Sequence, residues 1–168
     1  MLSITHIVVT LLLIQIMNLD RNDAFVAMLF GVFIDLDHLF GLVNYTHVNG
    51  VASVFDFHTM LNPGGSWKSI LHAPIAAAVV VPLSFAFRLA VPLIFWSAHL
   101  LMDNLGQNFL GNFSSLEAGL LLFTGLGLVT LRYGKYIMGT EAASFSAYLR
   151  SEIVFARHAM RPRPRPYF

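Results

Sequence analysis

The sequence predicts an all-α protein: a polytopic bundle of membrane helices with about five spans, followed by a C-terminal amphipathic helix. Two observations carry this prediction. Of the 168 residues, 57% are hydrophobic and only 11% are charged, against about 45–50% and about 25% in soluble domains. The apolar residues also gather into five runs separated by short polar or Gly-containing breaks. Disorder needs the opposite composition. A span takes about 20 residues, so a chain of this length holds one small polytopic domain.

The first run is roughly His6–Met17. Residues 1–20 hold no Lys or Arg, and no small-residue cleavage pattern follows them. A secretory signal has both, so this run is expected to stay as a first span over Ile4–Asn18. Asp20, Arg21 and Asn22 mark the turn after it. The second run is Ala24–Ile34, reaching about Gly41 if the polar step at Asp35–His38 is tolerated. The third runs roughly Ile70–Phe87 and the fourth roughly Leu89–Leu105, with Arg88 at the break between them. The fifth is roughly Leu116–Leu131, closed by Arg132–Lys135. Several runs are shorter than a full span. Such spans thin the bilayer or carry polar ends that belong to a site.

Residues 44–69 form the long connection, with a turn signal at Asn62-Pro63-Gly64-Gly65-Ser66. Thr140–Met160 reads as an amphipathic surface helix with Arg150 and Arg157 on polar faces. Arg161–Pro166 alternates Arg and Pro, an extended polyproline-type tail. The chain thus divides into a transmembrane helical domain over 1–135 and a cytoplasmic surface helix with its Arg-Pro tail over 136–168.

Five spans place every Lys and Arg except Lys68, of ten in the chain, on one side of the membrane. Basic residues mark the cytoplasmic side. The expectation is an integral membrane protein with its N-terminus outside and its C-terminus cytoplasmic. The net charge of +1 gives no field for nucleic acid. The absence of cysteine removes disulfides, thiolate metal sites and cysteine nucleophiles. No phosphate-binding Gly loop, nucleophile elbow or dinucleotide fingerprint is present. The 15 phenylalanines read as lipid and core packing, and Trp67 and Trp96 as interfacial or packing groups.

The informative residues are the polar ones inside this apolar chain. His6 opens the first span, and Asp35, Asp37 and His38 lie where the second returns to the outer side. His72 opens the third span, and His99 and Asp103 lie in the last half of the fourth. All fall toward one membrane face. An Asp at a helix centre costs about 2.5–3.5 kcal/mol on insertion scales. Several together need mutual neutralisation, which a divalent cation bound by carboxylates and neutral imidazoles provides. His99 and Asp103 are spaced i, i+4 and share one helix face. Asp35 and Asp37 diverge by about 200° on a continuing helix, so Asp37, His38, His99 and Asp103 form the more coherent cluster. His47, His58 and His158 read as loop or surface histidines.

The pattern Asp35-Leu36-Asp37-His38, then Trp67-Lys68-Ser69-Ile70-Leu71-His72-Ala73, then Ser97-Ala98-His99-x-x-x-Asp103 resembles the predicted membrane-bound metal-dependent hydrolases, the YdjM-like group. Thr5-His6 fits it too, and the resemblance covers roughly residues 1–131. In that group the middle segment usually reads His-Arg-Gly-x-Thr-His-Ser. Here only His72 survives; Trp67 and Lys68 stand at the His-Arg positions. The resemblance implies a divalent metal, zinc first with manganese or iron as alternatives. Its ligands would be drawn from His6, Asp37, His38, His72, His99 and Asp103. Asp35 would then act as general base, and Lys68 as a point charge for substrate phosphate. The implied reaction is hydrolysis of an amphiphilic ester or phosphoester at the outer interface, with membrane lipid as partner. The altered middle segment supports the alternative of a non-catalytic accessory subunit in a membrane protein complex, keeping a metal or polar site.

Overall fold

A computed structural model describes residues 3–37, 46–52, 70–110, 114–140 and 144–159. Among these residues all regular secondary structure is helical. The main helices are α1 (Ser3–Ile16), α2 (Arg21–Gly31), α3 (Ala77–Ser84), α4 (Val91–Leu105), α5 (Ser115–Met138) and α6 (Phe145–Ala159).

Local chemistry sets where they begin and end. The chain leaves α1 through Asn18, which takes a left-handed conformation with φ 49°, a state Asn tolerates. Asp20 then caps α2: its Oδ1 accepts from the backbone N–H groups of Asn22 at 2.8 Å and Asp23 at 2.9 Å. Beyond Gly31 the backbone tightens into a 3-10 turn over Phe33–Asp37. Two further 3-10 turns, Ile70–His72 and Pro74–Ala76, lead into α3. Pro82 lies inside α3, which ends two residues later. The break to α4 is tight and strained, with Leu89 at φ 57° and Ala90 at φ 49°. Ser114 Oγ accepts from Glu117 N–H at 3.0 Å and so caps α5.

Each expected apolar run contains helix, but among the described residues two helices are long and apolar enough to cross a membrane. These are Arg88–Leu110, in which a π-turn at Gly106–Leu110 extends α4, and α5 with 24 residues. At 1.5 Å per residue α5 measures about 36 Å, against a hydrocarbon core of about 30 Å. The 14, 11 and 8 residues of α1, α2 and α3 fall short of that. The physical reason is the breaker set just described: the Asp20 cap, the 3-10 turn after Gly31, and Pro74 and Pro82 within the third run.

α1 runs parallel to α5. Near their starts Thr5 Oγ1 donates to Glu117 Oε1 at 3.2 Å. Near their ends Lys135 Nζ donates to Gln15 and Asn18. α2 packs on α4 and α1, and α3 packs on α4. One core cluster gathers Ile14, Val26, Ala27, Val91 and Phe95, and a second gathers Ile34, Ala76, Val80 and Trp96. Trp96 packs rather than facing the interface, and its Nε1 donates to Leu71 O at 2.8 Å. The outer face of α5 stays apolar and bare, with Leu122 65% and Phe123 76% exposed. A contiguous apolar face of this kind marks a surface covered by lipid or by another protein.

Candidate metal centre

The ends of several helices meet at one pole of the molecule. Asp35 comes from the 3-10 turn after α2, His72 from the turn leading to α3, and His99 and Asp103 from successive turns of α4. One ligand atom from each of these four residues lies within 4.8 Å of all the others. His99 Nε2 stands 3.2 Å from Asp35 Oδ1, 3.3 Å from Asp103 Oδ2 and 3.0 Å from His72 Nε2. His72 Nε2 stands 3.4 Å from Asp35 Oδ1 and 3.5 Å from Asp103 Oδ2.

These separations have a chemical meaning. Ligands bound tetrahedrally at about 2.0–2.2 Å are separated by about 3.3–3.6 Å. Five of the six edges of the Asp35–His72–His99–Asp103 tetrahedron are those just given, and four of them fall at 3.2–3.5 Å. The donor set also fits. His99 Nδ1 lies 3.1 Å from the Gly31 carbonyl oxygen. A carbonyl can only accept, so Nδ1 carries the proton, and in the neutral ring Nε2 presents a bare lone pair to the cluster. A ligating imidazole is commonly fixed in this way by a backbone carbonyl behind it. The four side chains can hold a metal ion.

Gly31 makes this support possible. Thr10 Oγ1 also donates to its carbonyl, at 3.4 Å. A Cβ at Gly31 would stand 2.5 Å from Thr10 Oγ1 and 3.3 Å from Phe95, so only glycine lets α1, α2 and α4 approach this closely.

His6 takes a different place from the four. Its Nε2 lies 3.2 Å from Asp103 Oδ1, whereas Oδ2 faces His72 and His99. Its ring stacks on that of His99 at a centroid distance of 4.4 Å. His6 and His99 are fully buried, while Asp35 is 31% exposed and is the most open of the group. The cluster is therefore closed on the α1 side and open beside Asp35.

The sequence expectation and the geometry overlap in part. His72, His99 and Asp103 come together as ligand-bearing groups. Asp35, expected as a free base, stands among the ligand atoms, and His6, expected as a ligand, stands on the far oxygen of Asp103. Asp37 closes the 3-10 turn, but its side chain lies outside the described residues, as do His38, His58, Trp67 and Lys68. His47 is exposed on a short helical turn. Glu117 was not anticipated. It is almost fully buried beside Thr5, one residue from His6. Its only signal was Ser114-x-x-Glu117, a capping box, which accounts for its backbone and not for its burial.

No family model matches the chain, and no curated protein or solved structure matches it either. The reading of the centre rests on its own residues.

Proposed function

We propose that this protein is an integral membrane, metal-dependent hydrolase acting on an amphiphilic ester or phosphoester at the outer membrane interface. The observation that carries the reading is the convergence of Asp35, His72, His99 and Asp103 with ligand atoms 3.0–3.5 Å apart. Such a set sits at one pole of a chain that is otherwise 57% hydrophobic. The resemblance to the membrane-bound metal-dependent hydrolases supports it.

The reading includes five crossings. α1, α2 and the Ile70–Ser84 segment are short, so they cross with polar ends or in a thinned bilayer. Arg21, Arg88, Arg132 and Lys135 lie toward the pole opposite the cluster, which supports an outer site, an outer N-terminus and a cytoplasmic C-terminus. Zinc is the first candidate for a mixed nitrogen and carboxylate set, with manganese and iron next. When bound, the cation supplies an acidified water and polarises the scissile oxygen.

The chain's own residues do the rest. Gly31 O holds the His99 ring in one tautomer. His6 holds Asp103 from its far oxygen. A bound water needs an open position, so three of the four, His72, His99 and Asp103, would hold the ion, and Asp35, the most exposed carboxylate, would stand as base within reach of the water proton. Lys68 is proposed to contact the substrate phosphate as a point charge.

The test is metal content by mass spectrometry of the purified, chelator-washed protein, then turnover of lipid phosphoesters with added Zn²⁺ or Mn²⁺. About one or two equivalents of metal, lost in a folded His99→Ala/Asp103→Ala variant, together with turnover, is the expected result. Metal without turnover, and co-purification with larger membrane subunits, would favour the accessory-subunit reading that the altered middle segment raises. No metal in either protein would sink the hydrolase reading and leave a polar network, the form of the accessory-subunit reading that needs no ion.

A further inference from the structure

The far pole carries a second feature that the metal centre does not use. α6 leans on the end of α5 through a cluster of rings. Tyr148 is buried against Tyr133 and Tyr136, and Phe145 meets Tyr133 at 5.4 Å. Arg132 and Glu152 close the joint at 2.8 Å. These contacts fix which way the rest of α6 points.

Phe145, Leu149 and Ile153 follow one another four residues apart, so they occupy a single stripe about 80° wide. α5 meets this stripe at Phe145, through Tyr133, while Leu149 and Ile153 stay 45% and 53% exposed. Glu152 is the one acidic residue in α6 and lies at the edge of the stripe. Its pairing with Arg132 removes the charge that would repel an anionic surface. Arg150, exposed, flanks the other edge, where a long stem can lie along apolar surface with its charge in water. In the sequence Arg157, Arg161, Arg163 and Arg165 continue the basic character.

We infer that the Phe145–Leu149–Ile153 stripe docks on an anionic lipid headgroup layer and lays α6 flat on the leaflet where α5 emerges. An apolar stripe with a basic edge at Arg150 and a neutralised one at Glu152, on a helix that follows a membrane-crossing one, is an arrangement that binds such a surface. The inference rests on α5 crossing a membrane and is independent of any metal.

The chain has no cysteine, so single reporters can be placed cleanly. Leu149→Cys, Val154→Cys and Leu122→Cys would each carry an environment-sensitive fluorophore. The full chain would sit in nanodiscs of phosphatidylcholine and phosphatidylglycerol, with and without brominated acyl chains. Leu149 and Val154 are 45% and 51% exposed but point about 140° apart, which makes them a matched pair. The Leu149 reporter should lose most of its fluorescence to the brominated lipid, and the Val154 reporter should keep it. Equal quenching of the two, or no quenching at Leu149 while Leu122 on α5 is quenched, would overturn the inference. A Leu149 reporter shielded from an aqueous quencher yet untouched by brominated lipid would overturn it in favour of a second copy of the chain. No quenching at Leu122 would remove the membrane reading itself, a failure distinct from that of the stripe.

Discussion

The two ends of the α1–α5 pair solve opposite electrostatic problems. At one end Thr5, His6, His99 and Glu117 are buried together, and the groups facing Asp103 and Asp35 are carboxylates and imidazoles. That end is buried at His6 and His99 and partly open at Asp35. At the other end an exposed cation, Lys135, gives its three protons to Gln15 O, Gln15 Oε1 and Asn18 Oδ1 at 3.1–3.3 Å. That end is complete as it stands. The first end gathers carboxylates and imidazoles that can hold a cation, and uncompensated buried charge is costly. The difference teaches where candidate chemistry is concentrated in this chain: the end where carboxylates and imidazoles converge, not the end with the exposed ammonium.

The largest expected effect comes from breaking the first end. His99→Ala takes away the ring that touches all three other ligand groups. Metal affinity should fall by more than about 100-fold, beyond the 10–100-fold range typical of partners outside the ligand shell. Isothermal titration with Zn²⁺ in detergent, beside a thermal melt showing that the variant folds, checks it. Retained stoichiometric binding would mean that the four groups are not the ligands.

Gly31→Ala attacks the same end from behind. The new methyl meets Thr10 Oγ1 at 2.5 Å and Phe95 at 3.3 Å, so either the Thr10 side chain turns away or α2 shifts and carries its carbonyl from His99. Overpacking of this kind costs about 1–3 kcal/mol. A lower melting temperature together with weaker metal binding is expected. A drop in melting temperature alone would show that the clash is relieved at Thr10, with the Gly31 carbonyl left in place.

How far this end could be read from the sequence differs residue by residue. His99 and Asp103 were legible, because i, i+4 spacing on a helix puts both on one face whatever surrounds it. The place of Asp35 among the ligand atoms was not. It depends on the backbone leaving the α-helix at Gly31 and tightening into the 3-10 turn over Phe33–Asp37. The third run, Ile70–Phe87, was read as one stretch, because apolar composition runs through Pro74 and Pro82 while regular backbone hydrogen bonding does not. The parallel pairing of α1 with α5 was also beyond reach, since periodicity fixes which face of a helix is buried but not which neighbour buries it. Glu117 stayed hidden with it.

His6→Gln sharpens the comparison by separating ligand from support. Gln keeps a donor that can reach Asp103 Oδ1 but loses the ring stacked on His99. Metal affinity should fall by about 10–100-fold, the range for a partner that holds a ligand, with stoichiometry unchanged. Loss of a metal equivalent would instead place His6 on a second ion, with the Asp103 carboxylate bridging.

Lys135→Met, at the opposite end, should do least. It removes three hydrogen bonds, yet the ammonium is exposed, and exposed charged contacts are worth about 1 kcal/mol or less. The acceptors it leaves, on Gln15 and Asn18, lie at the ends of α1 where water can replace it. Metal binding should be unchanged within error and the melting temperature nearly so. A large loss of binding would show that the pose of α1 is set from this end and transmitted along its 14 residues to His6. In that case the two ends would be one mechanical unit, and the pairing of Lys135 would rank with Gly31 among the groups that hold the centre in place.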